Sequence, residues 1–419
     1  MRIVAGIREL VARGSGRQVG AAVAAVTMAA TIAGGTGTAH AADAATATAA
    51  APAAAAPAAT AGITVGVQFH GMWTMYTDAQ RAQVLDKFQA AGMRSVRLDV
   101  SWAMLQPTGP GSYDPWGVGF VDKVITMANQ RGMKPLVTLW LTPPWANHGQ
   151  GERVLPDNPA DYARVAQWAA AKWNGKLQGW EVWNEQNSPD FLEGADPVAY
   201  TRLLKTAYPA FKAGSATTPV VFGGLQYNDT DWLRRAYDAG AKGSFDVMAT
   251  HPYMGIADAG PELADDGTMW TLTHVQAVRD LMVARGDAGK AIWFTELGWS
   301  THANTANTAN WDRGVTEATQ AAYLTRTVDL VRASYPFVTR MYWYNDRDLT
   351  EGGDQVQNYG LLHRDLTAKP ALIALARANG VATTGSAGGP TTAGIDGDAG
   401  TTPPPLKSRP APPLPVGNR

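Results

Sequence analysis

A repeating unit in which a helix, a glycine and a buried strand follow one another constrains the fold of this chain most strongly. Gly92-Met93 ends a helical pattern and precedes the apolar run 95–102, and forty residues later Gly132-Met133 precedes the run 134–141. Glycine is the usual residue just past the end of a helix, and β-branched or aromatic runs between turn residues are typical of strands. A chain built from such units predicts a parallel sheet whose strands are joined by helices.

The unit recurs across the central region, residues 63–382, and predicts eight strands. We place these strands at 64–69, 95–101, 135–141, 178–184, 219–224, 246–251, 291–296 and 339–344. Eight parallel strands with right-handed helical crossovers close into a (β/α)8 barrel, so we expect an α/β fold of the TIM-barrel type in one domain. An open, doubly wound sheet is the alternative. Its nucleotide-binding turn should read G-x-G-x-x-G, whereas His70-Gly71-Met72-Trp73 follows the first strand here.

The two ends of the 419-residue chain differ in composition from its centre. Residues 1–41 combine a basic start, an apolar stretch at 19–33 and the small-residue site Ala39-His40-Ala41, a pattern typical of a secretory signal peptide. An uncleaved anchor is the alternative, although a bilayer needs about 20 apolar residues. Residues 42–62 are predicted to be an Ala/Pro-rich linker and 383–419 a disordered tail rich in Gly, Thr and Pro. We therefore expect a secreted, extracellular protein without a membrane span after signal removal.

The composition narrows the chemistry that this chain can perform. Cysteine is absent, which excludes disulfides, thiolate metal sites and a cysteine nucleophile. The formal net charge is -1, with Lys and Arg scattered along the chain, so no concentrated basic face is available for nucleic acid. The 15 Trp residues exceed what core packing requires, and sugar rings stack on Trp faces as readily as Trp fills a core. We expect a monomer that acts on a neutral substrate.

Two glutamates lie at predicted strand ends, where a barrel carries its chemistry. Glu185 follows strand 4 and Glu296 closes strand 7, and these strands face each other across the mouth of a barrel. Hydrolysis of a glycosidic bond needs one carboxyl to protonate the leaving oxygen and a second to attack the anomeric carbon or activate water. The two glutamates are therefore a candidate catalytic pair.

Four motifs at the strand ends carry a resemblance to a known group of enzymes. They are Trp-Glu-Val-Trp-Asn-Glu at 180–185, His-Pro-Tyr at 251–253, Trp-Phe-Thr-Glu-Leu-Gly at 293–298 and Tyr-Trp-Tyr at 342–344. Together they resemble retaining glycoside hydrolases of the clan with (β/α)8 barrels and catalytic glutamates on strands 4 and 7, most closely families 5 and 39. The resemblance covers nearly all of residues 63–382. It implies a glycosidase that hydrolyses β-linked O-glycosyl bonds of a polysaccharide or oligosaccharide by double displacement, without a cofactor or metal.

The resemblance also implies a role for each matched residue. Glu185 would be the general acid/base and Glu296 the nucleophile. Arg97 would hold Glu296 ionised, because a nearby cation lowers the pKa of a carboxyl, whereas Glu185 needs a raised pKa to start the reaction protonated. The predicted substrate-binding residues are Arg97 itself, Trp140 in the cleft, Asn184 at the sugar 2-hydroxyl, His251 and Tyr253 on the wall beside the nucleophile, and Trp343 as the platform under the sugar ring.

Structural roles compete with several of these assignments. Arg97 could pair with Asp99 inside the barrel as a structural ion pair. Glu181 lies four residues before Glu185, so strand alternation places it on the same side and deeper, where we expect a structural role. Three Trp residues suit the core as well as the cleft: Trp140, Trp145 and Trp299.

Other kinds of site remain as alternatives. The seven His residues form no H-x-x-x-H or H-x-H pair, which argues against a zinc hydrolase, and no G-x-S-x-G elbow is present for a serine nucleophile. The loop from Asn345 to Asp354 is rich in carboxylates, so a calcium site is an alternative there. A catalytically inactive carbohydrate-binding barrel also stays open, although both glutamates and Arg97 are intact.

The sequence does not identify which glycan is the substrate. β-Linked glucan, mannan, xylan, and an arabinose- or galactose-bearing envelope polymer all suit this catalytic core, because loop shapes determine selectivity. The long segments 142–158 and 252–271 could build either an open groove for endo cleavage or a pocket for exo cleavage.

Overall fold

The computed structural model describes residues 63–349 and 355–382, and within these residues eight parallel strands close into a barrel in sequence order. The strands are β1 (Thr64–Gln68), β2 (Val96–Ser101), β3 (Leu136–Trp140), β4 (Gly179–Asn184), β5 (Val220–Gln226), β6 (Met248–His251), β7 (Ile292–Leu297) and β8 (Val338–Trp343). Their bounds lie within two residues of the predicted ones. The predicted TIM barrel is confirmed, and the open doubly wound sheet is excluded because β1 pairs with both β2 and β8.

In the part of the chain that the structure describes, an α-helix follows each strand and packs on the outside of the barrel. The helices are α1 (Asp78–Ala90), α2 (Pro115–Asn129), α3 (Pro159–Lys172), α4 (Pro197–Gly214), α5 (Thr230–Asp238), α6 (Val275–Ala284), α7 (Glu317–Ser334) and α8 (Pro370–Ala378), with a one-turn helix, Trp102–Leu105, before α2. The Thr77 side chain caps α1 by accepting a hydrogen bond from the backbone N–H of Gln80. Gly92 and Gly132 adopt φ angles of 75° and 71°, the left-handed conformation that glycine tolerates after a helix.

Two layers of apolar packing hold the barrel together. The interior is filled by side chains from alternate strand positions, namely Leu136, Val221, Val247, Ala249, Trp293 and Tyr342. The opposite strand faces pack against the helices in a larger core that includes Val65, Leu98 and Val182. Because the interior is filled with side chains, substrate access is restricted to the rim where the strands end.

Some predictions fall on parts of the chain outside this description. The predicted signal peptide, linker and tail at 1–41, 42–62 and 383–419 lie outside the described residues, and so does Asp354 of the acidic loop. Across 63–349 and 355–382, the structure contains no helix that combines the length and the apolar character needed to span a bilayer.

Candidate active site

The carboxyl ends of three strands and the start of β2 bring the predicted polar side chains together in one cleft. Arg97 lies on β2, Asn184 ends β4, His251 ends β6 and Glu296 lies near the end of β7. Glu185 follows β4 directly, and its amide donates to the Gly224 carbonyl on β5 at 2.9 Å. Because neighbouring parallel strands end at the same rim, residues more than 100 positions apart in sequence become direct contacts.

Arg97 is the central cation of the cleft and is fully buried. Its Nη1 donates to Glu296 Oε1 at 2.6 Å, its Nη2 to Asn184 Oδ1 at 2.7 Å, and its Nε to Glu181 Oε2 at 2.7 Å. The competing partner Asp99 also contributes, with its Oδ1 3.5 Å from Nη1. A guanidinium with donors in a fixed planar fork suits such a set of acceptors. The assignment of Arg97 to substrate binding is wrong, because protein acceptors surround it and no surface is left for a sugar; it is a positioning residue.

The local backbone at the end of β4 turns the consecutive side chains of Asn184 and Glu185 toward the cleft. Trp183 and Glu185 adopt positive φ angles of 72° and 45°, which L-residues visit rarely. In a regular strand, residues three positions apart point to opposite faces. The departure from regular alternation therefore allows both Glu181 and Asn184 to contact Arg97. Non-glycine residues in this region cost about 1–3 kcal/mol each and persist where surrounding contacts hold them. The strain therefore coincides with the predicted acid/base.

The two glutamate carboxyls approach each other closely. Carboxylate oxygens of Glu185 and Glu296 lie within 4.8 Å of each other, together with a ring nitrogen of His251. Glu185 is 5% exposed and Glu296 is 9% exposed, so both side chains are largely removed from bulk water. The Tyr253 hydroxyl donates to Glu296 Oε2 at 3.1 Å, so Tyr253 lies beside this glutamate as the resemblance implied.

Burial sets the protonation of the two carboxyls. It raises the pKa of Glu185 to about 8, although the Arg97 charge and a hydrogen bond from Gln226 oppose the shift. Burial also raises the pKa of Glu296, and this shift is opposed by His251 in its protonated form and by the Arg97 charge. The expectation that Arg97 would hold the pKa of Glu296 down is therefore wrong in its net result, because desolvation outweighs the ion pair. The expectation of a raised pKa at Glu185 is confirmed.

His251 lies between the acid/base candidate and β7. Its Nδ1 is 2.8 Å from Glu185 Oε1 and its Nε2 is 3.0 Å from Thr295 Oγ1. Burial lowers the pKa of His251, so the ring is neutral near pH 7 and orients the Glu185 carboxyl without adding a charge.

The position of His251 depends on a glycine in β5. A Cβ added at Gly224 would lie 2.1 Å from His251 Nε2 and 2.6 Å from Thr295 Oγ1, closer than atoms can pack. We expect Gly224→Ala to push the ring away from Glu185 and to lower kcat/KM by about 100-fold, the scale of a 1 Å misplacement in an active site. Steady-state kinetics with a cleavable glycan would measure the loss. Gly119→Ala, whose added Cβ would meet open space on α2, is the matched control. Equal activity of the two variants would contradict the role of His251.

Gln226 is a functional residue that the sequence prediction missed. Its side-chain amide donates to Glu185 Oε2 at 3.0 Å, so it holds the carboxyl oxygen that His251 does not hold. The predicted fifth strand stopped at residue 224, whereas β5 continues to Gln226. A polar residue at the true end of a barrel strand was the available signal.

The predicted platform residue Trp343 faces away from the cleft. Tyr342 fills the barrel interior, so strand alternation turns Trp343 outward, where it is 2% exposed and packs against Trp299. The side chain that returns to the rim is Tyr344, which is half-buried and packs edge-on against Tyr253. The prediction for Trp343 is therefore wrong by one position, and Tyr344, directly after β8, is the aromatic residue that borders the cleft.

The other Trp residues divide between core and cleft. Trp140 is half-buried and shares the inward face of β3 with Thr138, which donates to Glu181 in the barrel interior. Its predicted contact with substrate stays a prediction. Trp145 donates its indole N–H to the Gln106 carbonyl and Trp299 donates to the Ala259 carbonyl, so both have structural partners.

Two groups of side chains offer donor atoms of the kind that metal ions bind. Glu185, His251 and Glu296 form a compact donor set, but the Arg97 guanidinium already pairs with Glu296 and disfavours a second cation there. In the acidic loop, Asp346 accepts from Tyr76 and contacts His70, and Asp348 pairs with Lys369 at 3.2 Å. These carboxylates already have protein partners, which makes them weak calcium ligands.

Comparisons with known proteins agree with this geometry. The chain matches the family model described as Cellulase (glycosyl hydrolase family 5) over residues 57–346. Beta-glucosidase 40 of Arabidopsis thaliana is 26% identical over 176 residues, which are 38% of this chain and 34% of that protein. The chain thus aligns with about a third of the length of this curated relative.

Two solved structures share the barrel. A family 39 glycoside hydrolase from Bacteroides cellulosilyticus WH2 has a TM-score of 0.62 at 23% identity, covering 76% of this chain and 63% of that chain. The GH5_18 enzyme of Streptomyces cattleya, in complex with Manβ1-4GlcNAc, has a TM-score of 0.58 at 20% identity, covering 76% and 80% of the two chains. Since the family match extends over more than half of the sequence, the chain belongs to glycosyl hydrolase family 5, the cellulase family.

Proposed function

We propose that this protein is a glycosidase that cleaves β-linked bonds of a polysaccharide or oligosaccharide with retention of configuration, through a covalent intermediate on Glu296. The observation that carries the proposal is the approach of the two buried carboxyls to within 4.8 Å. Retaining enzymes separate these groups by about 5–5.5 Å, whereas inverting enzymes need about 6.5–9.5 Å to admit a water molecule between them.

In the first step, Glu185 donates its proton to the glycosidic oxygen while a carboxylate oxygen of Glu296 attacks the anomeric carbon. The bond between the anomeric carbon and the leaving oxygen breaks, and its electron pair leaves with the protonated oxygen. Asn184 accepts from Arg97 through Oδ1, which leaves its amide nitrogen to donate to the sugar 2-hydroxyl. Arg97 and Tyr253 hold one oxygen each of the Glu296 carboxylate and so fix its angle of attack.

In the second step, Glu185 is ionised and accepts a proton from water. The water oxygen attacks the anomeric carbon and displaces Glu296 as a carboxylate, which restores the starting protonation of both groups. His251 and Gln226 each hold one oxygen of Glu185, so the same carboxyl keeps its position in both steps.

We also propose that the enzyme acts outside the cell. The proposal is supported by the basic and apolar segments of residues 1–41 and by the small-residue site at 39–41. Polymeric glycans are available to an exported enzyme without prior uptake.

Mass spectrometry of released sugars tests the proposed activity. The full chain and its Glu296→Gln variant are incubated with β-glucan, mannan, xylan and arabinogalactan, and products are identified by mass and linkage. We expect one class of glycan to yield oligosaccharides or monosaccharides with the wild type only, and NMR to find the product anomer first formed to be the same as that of the substrate. Products of inverted configuration would contradict the double displacement. Binding of a glycan by the wild type without any product would favour an inactive carbohydrate-binding barrel.

A further inference from the structure

An aromatic pair, the half-buried Tyr227 and the exposed Trp270, lies beside the acid/base candidate and has no part in the steps above. Tyr227 follows Gln226 at the end of β5, and its ring meets that of Trp270 at a centroid distance of 4.5 Å and an angle of 69°. Trp270 is 43% exposed, which is unusual for the largest apolar side chain in a folded domain. It lies in the long segment 252–271, between β6 and α6.

The backbone ties this pair to Glu185. Tyr227 forms an antiparallel bridge with His251, and its carbonyl accepts from the Thr250 hydroxyl at 2.5 Å. Tyr227 therefore lies beside His251 in space and directly after Gln226 in sequence. Both of these neighbours hold the Glu185 carboxyl. Tyr227 also adopts a positive φ of 58°, a strained conformation for an aromatic residue that directs it away from the regular strand path.

Trp270 is held in place rather than loosely exposed. The Gly255 amide donates to the Trp270 carbonyl at 2.8 Å. A Cβ at Gly255 would lie 2.7 Å from Trp270 Cβ, so the glycine allows the two loop segments that contain Gly255 and Trp270 to approach closely. A Trp fixed at its backbone presents a face at little entropic cost.

We propose that Tyr227 and Trp270 form the binding site for the sugar unit on the leaving-group side of the cleaved bond. This inference rests on the proposed function, because the acid/base carboxyl protonates the leaving oxygen and the leaving group must therefore lie on the Glu185 side of the cleft. The apolar face of a sugar ring packs on an aromatic face, which supplies affinity without selecting a charge.

The site makes the enzyme depend on a sugar, and not merely on any leaving group, beyond the cleaved bond. Binding energy from this unit positions the glycosidic oxygen at the Glu185 carboxyl, so its loss lowers kcat/KM for oligosaccharides. A leaving group without a ring cannot pack on the aromatic pair. The kcat/KM of a substrate with such a leaving group should therefore not depend on Trp270.

The test compares two substrates with the same glycone. Wild type, Trp270→Ala and Trp270→Phe are assayed with the oligosaccharide that the glycan panel identifies and with the corresponding glycosyl fluoride, whose leaving group is a single atom. We expect Trp270→Ala to lower kcat/KM about tenfold for the oligosaccharide and less than about twofold for the fluoride. Trp270→Phe restores most of the loss because it keeps an aromatic face. Trp116→Ala is the matched control, since Trp116 is 60% exposed and stacks on Phe120 of its own helix α2.

The outcomes separate the subsite from the activity. An equal loss on both substrates, or no loss on either, with an active wild type would overturn the leaving-group site and leave the glycosidase proposal intact. A wild type that releases neither sugars from the panel nor fluoride from any glycosyl fluoride would overturn the proposed function and the subsite with it.

Discussion

Replacing Glu296 by Gln is expected to lower kcat by at least about 10⁴-fold on any cleaved glycan, while the barrel stays folded. The amide is nearly the same size and its oxygen still accepts from Arg97, but its nitrogen cannot accept from Tyr253 and the side chain cannot form the glycosyl ester. Initial rates of sugar release measure the loss, and thermal unfolding followed by circular dichroism checks the fold. A wild-type sample treated with a 2-fluoro glycoside of the cleaved sugar should carry the adduct on the peptide that contains Glu296.

The control for this prediction is an exposed glutamate of the same domain. Glu193 lies on the surface after β4, so Glu193→Gln removes a carboxyl and leaves the cleft unchanged. Its rate should stay within about twofold of the wild-type rate. A Glu296→Gln variant that retains a tenth of the wild-type activity, or an adduct on another peptide, would remove Glu296 from the role of nucleophile.

Replacing Glu185 by Ala is expected to lower kcat on a natural glycan by about 10³-fold, within the range that general acid catalysis supplies. Azide should rescue the reaction with activated aryl glycosides, because this small anion fits the space of the lost carboxyl and attacks the intermediate without a general base. The product should be a glycosyl azide with the configuration of the substrate.

The same variant reports the protonation of Glu185. In the wild type, activity should fall as the pH rises through about 8, since Glu185 loses the proton that it must donate. It should also fall in acid, where Glu296 takes up a proton and ceases to be a nucleophile; its raised pKa moves this limb upward. The azide-rescued Glu185→Ala reaction should lack the basic limb. A basic limb that survives in this variant would assign it to another group.

The pairing of β-branched runs with glycine-ended helices made the barrel predictable from sequence. Once the order of strands is known, the rim positions follow, and Glu185, Glu296, Asn184 and Tyr253 lie in the cleft as expected. Strand parity is harder to predict, because an error of one position exchanges the two faces of a strand. Alternation is regular at the end of β8: Tyr342 faces the barrel interior, Trp343 faces the helix layer and Tyr344 borders the cleft.

The direction of the pKa shift at Glu296 could not be predicted from the sequence, for a different reason. The sequence indicated which cation would pair with it, and that contact is present at 2.6 Å. The outcome depends on how much water the surrounding side chains exclude, and that quantity exists only in the folded protein. The end of β5 at Gln226 is a similar case, since strand ends are set by pairing with neighbours such as His251.

The Arg97 cluster has a consequence for the whole catalytic cycle. When Glu296 becomes an ester it loses its negative charge, and a cation with that glutamate as its sole counter-ion would then be buried and uncompensated. Glu181 prevents this, because it pairs with Nε at 2.7 Å and takes no part in the covalent step at Glu296. Glu181 is thus the permanent counter-ion and Glu296 the temporary one. The guanidinium need not move or take up an ion between the two displacements, so the site meets both transition states with the same arrangement of charges.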